Sequence, residues 1–154
     1  MKIVLQRVKR ASVKVDGQVV GMIQHGLLVL AGFHQNDTVE VLCYMADKCV
    51  DLRIFEDAEG KMNLSLKDVA GEVLVVSQFT LYGDCRKGKR PSFSDAAPPA
   101  RARELYEKFL QTLRGRIPQI QTGIFGAMME VELVNDGPVT LILEKEGVPI
   151  SGGA

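Results

Sequence analysis

The chain has no tryptophan, 6% aromatic residues, two histidines, three cysteines and no net charge over 154 residues. Each shortage removes a class of function. His25 and His34 stand nine apart in apolar surroundings. That spacing supplies neither a metal ligand set nor a Ser-His-Asp triad. Both are read as structural or surface histidines, with His34 kept open as a lone base. Cys43, Cys49 and Cys85 form an odd count without CxxC spacing, which argues against a disulfide framework and a thiolate zinc site. Cys43 and Cys49 fall in a helical pattern and read as packing residues. No metal and no cofactor is expected. No apolar run approaches the roughly 20 residues that span a bilayer. Met1-Lys2-Ile3-Val4-Leu5 is followed at once by Gln6-Arg7, too short for a signal-peptide core, so no membrane partner is expected and the cytoplasm is the expected compartment. Nineteen basic residues balance 19 acidic ones. A protein that wraps duplex nucleic acid is usually basic, so neutrality points away from a large duplex footprint and permits a small one on a nucleic-acid end.

What is present is a foldable core. With 46% hydrophobic and 25% charged residues the composition is that of a soluble globular protein, and the length suits one domain that buries about two-thirds of its unfolded surface. Val13 to Val20 alternates around Asp16-Gly17, the strongest hairpin signal in the chain. Gly26 to Phe33 reads as a continuous apolar strand. Asn36-Asp37-Thr38 offers a helix N-cap, after which Val39, Leu42, Cys43, Ala46, Cys49 and Val50 repeat at helical spacing to about Leu52. Glu56 to Lys67 is polar and turn-rich. Glu72 to Leu81 reads as the central strand, and Gly83 to Pro99 as a loop. Pro98-Pro99 opens a second helix with Ala102, Leu105, Tyr106, Phe109 and Leu113 on its apolar face. Ile117 to Gly126 gives no clear reading, and two strands flank Gly137-Pro138. The expected fold is α/β: a single domain with a largely antiparallel, curled, barrel-like sheet and two principal helices.

Two short stretches carry the chemistry. Ser77-Gln78-Phe79-Thr80-Leu81 closes the apolar run Val73-Leu74-Val75-Val76 with a polar tip, a cluster suited to acyl chemistry. Thr80 is the obvious nucleophile by residue type, yet nothing near it in sequence is a base, and a threonine hydroxyl is weak without one. Two readings therefore stand, nucleophile or positioning residue. The other stretch, Asn135-Asp136-Gly137-Pro138-Val139-Thr140, places Gly-Pro where proline removes a backbone donor and a cis bond is accessible. Such a dipeptide makes a rigid wall of backbone, or a plain strand-breaking turn. Arg86-Lys87-Gly88-Lys89-Arg90 puts four cations in five residues, a solvated loop or a phosphate contact.

Together these stretches resemble the D-aminoacyl-tRNA deacylase family. Gln6-Arg7-Val8, Arg10-Ala11-Ser12-Val13, Gly26-Leu27-Leu28-Val29-Leu30, Arg53-Ile54-Phe55, Gly60-Lys61-Met62-Asn63, Arg90-Pro91-Ser92-Phe93 and Thr122-Gly123 fall in the family's order, so the resemblance reaches to about Lys145. It implies a metal-independent homodimeric esterase that hydrolyses D-aminoacyl-tRNA while sparing L-aminoacyl-tRNA; a filter that works by excluding the L side chain would let glycyl-tRNA be hydrolysed as well. Its partners would be the terminal adenosine and acyl group of the tRNA. Carried over, Ser77, Gln78, Phe79 and Thr80 form the acyl pocket, with backbone amides and the 2′-hydroxyl of the terminal adenosine assisting. Phe79 would supply an amide; by alternation its ring is equally a core candidate. Gly137-Pro138 would be the chirality filter, reaching into the neighbouring subunit's site, and Arg86, Lys87, Lys89 and Arg90 would contact tRNA phosphates. Residues 1–145 would be the deacylase-like domain and 146–154 a tail. Gln24, Ile124 and Met128 depart from the family's pattern and bear on tRNA preference rather than on the reaction. Two rival readings remain: a non-catalytic RNA-end binding module, and a threonine-nucleophile hydrolase of small esters.

Overall fold

Apolar residues on both faces of its central strands dictate a sheet covered on both sides. In the computed structural model, which describes residues 1–147, β1 (Lys2–Val15) turns through Asp16 and Gly17, both at positive φ, into β2 (Gln18–Ile23). β3 (Gly26–Gly32) leads to α1 (Val39–Asp51), whose N-terminus is capped by the Thr38 hydroxyl accepting from the Val41 N–H. The short hairpin β4 (Phe55–Glu56) and β5 (Met62–Leu64) follows, then β6 (Glu72–Ser77). α2 (Pro99–Arg114), β7 (Ile120–Thr122) and the long β8 (Glu130–Glu144) complete the chain.

The main sheet runs β2-β1-β3-β6-β7, with β8 added along β1. β1 pairs antiparallel with β2, β3 and β8, whereas β3–β6 and β6–β7 are parallel. The sheet is thus largely antiparallel, as expected, but not purely so: its β3–β6 and β6–β7 pairs are parallel because α1 and α2 each act as a crossover that returns the chain in the same direction. It curls until its ends approach: a Cβ on Gly21 of β2 would lie 2.5 Å from the Thr122 carbonyl of β7. Leu27, Val29 and Ala31 of β3 and Val73 and Val75 of β6 join the core under the two helices. The alternate residues Leu28, Leu74 and Val76 meet Val8, Val13 and Ile23 inside the curl. Apolar residues on both faces make β3 and β6 read as continuous hydrophobic runs.

Two expected strands end differently. The central strand stops at Ser77, and Phe79–Tyr82 forms a 3₁₀ turn. Tyr82 tucks inward there, and Gly32 comes so close that a Cβ would lie 2.9 Å from the Gln78 carbonyl. Gly137-Pro138 does not separate two strands. It sits within β8, where Gln6 pairs with Thr140 and Val8 with Asn135, so that four residues, Asp136 to Val139, stand opposite the single residue Arg7. A bulge of this kind lets one edge strand run on past a proline. The segment 146–154 expected as a tail lies mostly outside the described residues.

Candidate active site at the carboxyl end of β3 and β6

Parallel strands present their carboxyl ends to one side of a sheet, the usual place for a ligand. Here Ala31 pairs with Ser77 at the end of the β3–β6 ladder, and the Gln78 N–H continues it to the Ala31 carbonyl at 2.8 Å. A cavity of about 660 Å³ opens there. Its floor is Ala31, Gly32, Phe33, Val76, Ser77, Gln78 and Phe79. One wall is Phe93 and the segment from Ala96 to Pro99 leading into α2; the other runs from Phe125 to Met129 and on to Val131.

No residue of that lining is ionisable. The polar groups available are the Ser77 hydroxyl, the Gln78 amide and the backbone. In the 3₁₀ turn the first bonded N–H is that of Leu81, which donates to the Gln78 carbonyl at 3.3 Å. The N–H groups of Phe79 and Thr80 precede that ladder and, among the described residues, have no backbone acceptor. A pair of free N–H groups at a turn is suited to hold a developing oxyanion. Thr80 is exposed, lies outside the cavity lining, and its hydroxyl accepts from the Gln78 side-chain amide. Phe79 is 57% exposed, so its ring is not core.

Gly137 and Pro138 do not line this cavity. They are exposed on the β8 bulge, joined by a cis peptide bond. The bulge is gripped from below by Arg7, which is only 5% exposed. Its guanidinium donates to the Asp136 carbonyl at 3.2 Å and the Ile54 carbonyl at 2.7 Å, and pairs with the Asp136 carboxylate at 3.3 Å. The Asn135 amide braces the base of the bulge by donating to the carbonyls of Arg7 and Val139, both at 3.0 Å.

The four cations of the 86–90 run are unlike one another. The loop is closed by paired backbone bonds between Asp84 and Ser92 of 2.7 and 2.9 Å. Arg86 folds back on Asp84 at 2.6 Å. Hydrogen bonds from its side chain and backbone N–H hold the Asp84 carboxyl down to about 2. Lys87, Lys89 and Arg90 are exposed and form no ion pair among the described residues.

Of the wall from Phe125 to Val131, sequence reasoning singles out only Met128. Phe125 packs on Tyr106 and under the Arg103 guanidinium, with centroid separations of 5.6 and 4.8 Å. Met128 is 92% exposed on the cavity rim. Ile124 is exposed beside it, and Gln24 lies at the β2–β3 turn, where its N–H meets the Glu72 carboxylate at 3.4 Å. His34 does not line the cavity; its Nδ1 accepts from the Asn36 N–H. Among the described residues no three His, Cys, Asp or Glu side chains gather as a metal site, and no helix is long and apolar enough to cross a membrane.

Comparison with known proteins gives this geometry a family. A protein of Geobacillus sp. (strain WCH70) named D-aminoacyl-tRNA deacylase is 60% identical over 146 residues, covering 95% of this chain and 96% of the relative. A solved structure named c-Myc DNA unwinding element binding protein superposes with a TM-score of 0.90 at 45% identity, over 96% of this chain and 100% of that one. A structure described as a probable eukaryotic D-amino acid tRNA deacylase shares the fold, with a TM-score of 0.78 at 20% identity over 92% of this chain and 97% of that one. The model of the D-Tyr-tRNA(Tyr) deacylase family matches residues 4–144, which take in the strand tip, the cationic loop and the Gly-Pro bulge alike, and the chain belongs to that family.

Proposed function

We propose that this protein is a cytoplasmic homodimeric hydrolase that cleaves the ester between a D-amino acid and the terminal adenosine of tRNA, and clears glycyl-tRNA while sparing L-aminoacyl-tRNA. The observation that carries this reading is a cavity without one ionisable side chain, opening on Ser77-Gln78-Phe79, in a chain 60% identical to a D-aminoacyl-tRNA deacylase. An aminoacyl ester is already labile, so its hydrolysis depends chiefly on placement and on donors for the oxyanion. The N–H groups of Phe79 and Thr80 supply the donors. Ser77 and Gln78 seat the acyl group, and the 2′-hydroxyl of the adenosine takes the part that no side chain of the wall is equipped to play. Thr80 orients Gln78 rather than attacking.

Chirality is read by exclusion. With amino group and carbonyl pinned, a wall on one side of the α-carbon meets the L side chain and passes the D hydrogen. Gly137-Pro138 is that wall, and a second protomer delivers it. In support, the dipeptide stands on an exposed bulge away from its own cavity, and exposed apolar side chains, Met128 and Val131, border the cavity mouth. Lys87, Lys89 and Arg90 lie on the phosphates.

The 45%-identical structure named for a DNA element favours a second reading, a nucleic-acid binding module. Incubation with D-aminoacyl-tRNA in molar excess separates the two. A deacylase releases many equivalents of amino acid per protomer, whereas a binding module protects the ester. A threonine-nucleophile esterase would instead leave a trapped acyl-enzyme and accept small esters without RNA.

A further inference from the structure

Two aromatic rings stand at the cavity mouth with much of their surface open. Phe79 and Phe93 meet edge to face at 5.2 Å, and are 57% and 40% exposed. Phe93 is held in place rather than left to swing. It emerges directly from the Asp84–Ser92 closure, its carbonyl accepts the Ala96 N–H at 3.1 Å, and Gly83 leaves room for its ring, since a Cβ there would lie 3.0 Å from Phe93 Cε1. The loop it closes is the one that carries Lys87, Lys89 and Arg90. A fixed aromatic surface beside a cationic segment is the combination by which proteins hold single-stranded nucleic acid, through stacking on any base and contact with the phosphates.

We propose that Phe79 and Phe93 form a stacking platform for the unpaired nucleobase that precedes the terminal adenosine, with the 87–90 cations on the phosphates of the same strand. The identity of the strand rests on the deacylase reading above. If the ester lies at Ser77-Gln78-Phe79, the preceding nucleotide leaves through the mouth that the two rings border. Charge favours a nucleotide as the guest of the rings: an uncharged amino-acid side chain gains nothing from the cations of the adjoining loop, whereas every nucleotide brings its own phosphate to them.

The test uses Phe93, which forms part of a cavity wall and offers the ester no hydrogen-bond donor. Phe93→Ala should raise KM for D-aminoacyl-tRNA by about 5- to 150-fold, the range that loss of one stacked base implies, with kcat little changed. Its effect on hydrolysis of D-aminoacyl-adenosine, which has no preceding nucleotide, should be several-fold smaller than its effect on the tRNA substrate. Phe93→Trp should restore the tRNA KM. An equal loss on both substrates would assign the ring to the acyl group or to the fold, and an unchanged KM on tRNA would remove the platform. Binding is read separately with a short uncharged RNA ending in CCA that carries 2-aminopurine at the penultimate position. Its fluorescence should be quenched by wild type and by Phe93→Trp but not by Phe93→Ala. Quenching without any deacylation would retain the platform and reject the deacylase reading; deacylation without quenching would do the reverse.

Discussion

The guanidinium of Arg7 lies directly beneath Gly137: a Cβ built on the glycine would stand 3.0 Å from Arg7 Nη2 and 3.0 Å from Val139 Cγ2. Gly137 also holds φ at +121°, a conformation that L side chains rarely adopt. Gly137→Ala should therefore cost about 1–3 kcal/mol of stability and displace the bulge from its seat on Arg7. Urea unfolding gives the first quantity. The second should appear as a fall in D-aminoacyl-tRNA hydrolysis larger than the stability loss explains. An alanine variant with wild-type stability and rate would remove the close packing as the reason for glycine here.

Thr80→Ala should keep most of its activity. Its hydroxyl lies outside the cavity lining and accepts from Gln78, so its loss loosens the Gln78 amide without removing an attacking group. A decline on the order of 10⁴-fold or more, the scale for deleting a nucleophile, would overturn the positioning role. Substrate ending in 2′-deoxyadenosine should by contrast be hydrolysed far more slowly by wild type.

The cationic loop should act unequally. Arg86 is occupied by Asp84, while Lys87, Lys89 and Arg90 are free for phosphates among the described residues. Changing those three to Gln should flatten the log–log salt dependence of tRNA binding by about 2, at about 0.7 for each cation on a single strand. D-over-L preference should be untouched, since phosphate contacts position the strand without reading the acyl group. Arg86→Gln alone should change the slope least. Equal effects from all four positions would mean that the Asp84 pairing opens on binding.

Alkaline pH should destabilise the fold through Cys49. Burial pushes its thiol up to about 12 from an ordinary 9.0. Between those values the unfolded chain has lost a proton that the folded chain keeps, so stability falls as pH rises, by at most about 1.4 kcal/mol per pH unit from this group. Tyr106, raised by burial to about 12, adds to the fall above its ordinary 10.0. In reducing buffer, unfolding free energies measured between about pH 9 and pH 11 should decline less steeply for Cys49→Ala than for wild type. Parallel slopes would show that the thiol is not protected as its burial implies.

Local features were legible and non-local ones were not. The Asp16-Gly17 turn and the Thr38 cap depend on residues within four positions of each other, and both stand where the sequence places them. The strand tip Ser77-Gln78 was readable because an apolar run ends there, although its turn into 3₁₀ structure depends on Gly32, far away in sequence. β8 was misread as two strands because proline is a local stop signal, whereas the device that carries the strand past it is Arg7, 129 residues before Asp136. The cavity walls at Phe93, Ala96 to Pro99 and Phe125 to Met129 carry no chemical signature; they are assembled only when parallel pairing brings the ends of β3 and β6 together.

The most direct measurement is hydrolysis of D-, L- and glycyl-tRNA by the wild-type protein under one set of conditions. Exclusion by a backbone wall predicts rapid release of D-amino acid, release of glycine as well, and L-aminoacyl-tRNA left intact, because glycine has no side chain for the wall to meet. Sparing glycine would need a pocket that rewards the D side chain, and such contacts supply only about 1–3 kcal/mol per methylene-sized difference. Glycyl-tRNA spared as completely as L-aminoacyl-tRNA, or D and L esters cleaved alike, would contradict steric exclusion as the basis of selection.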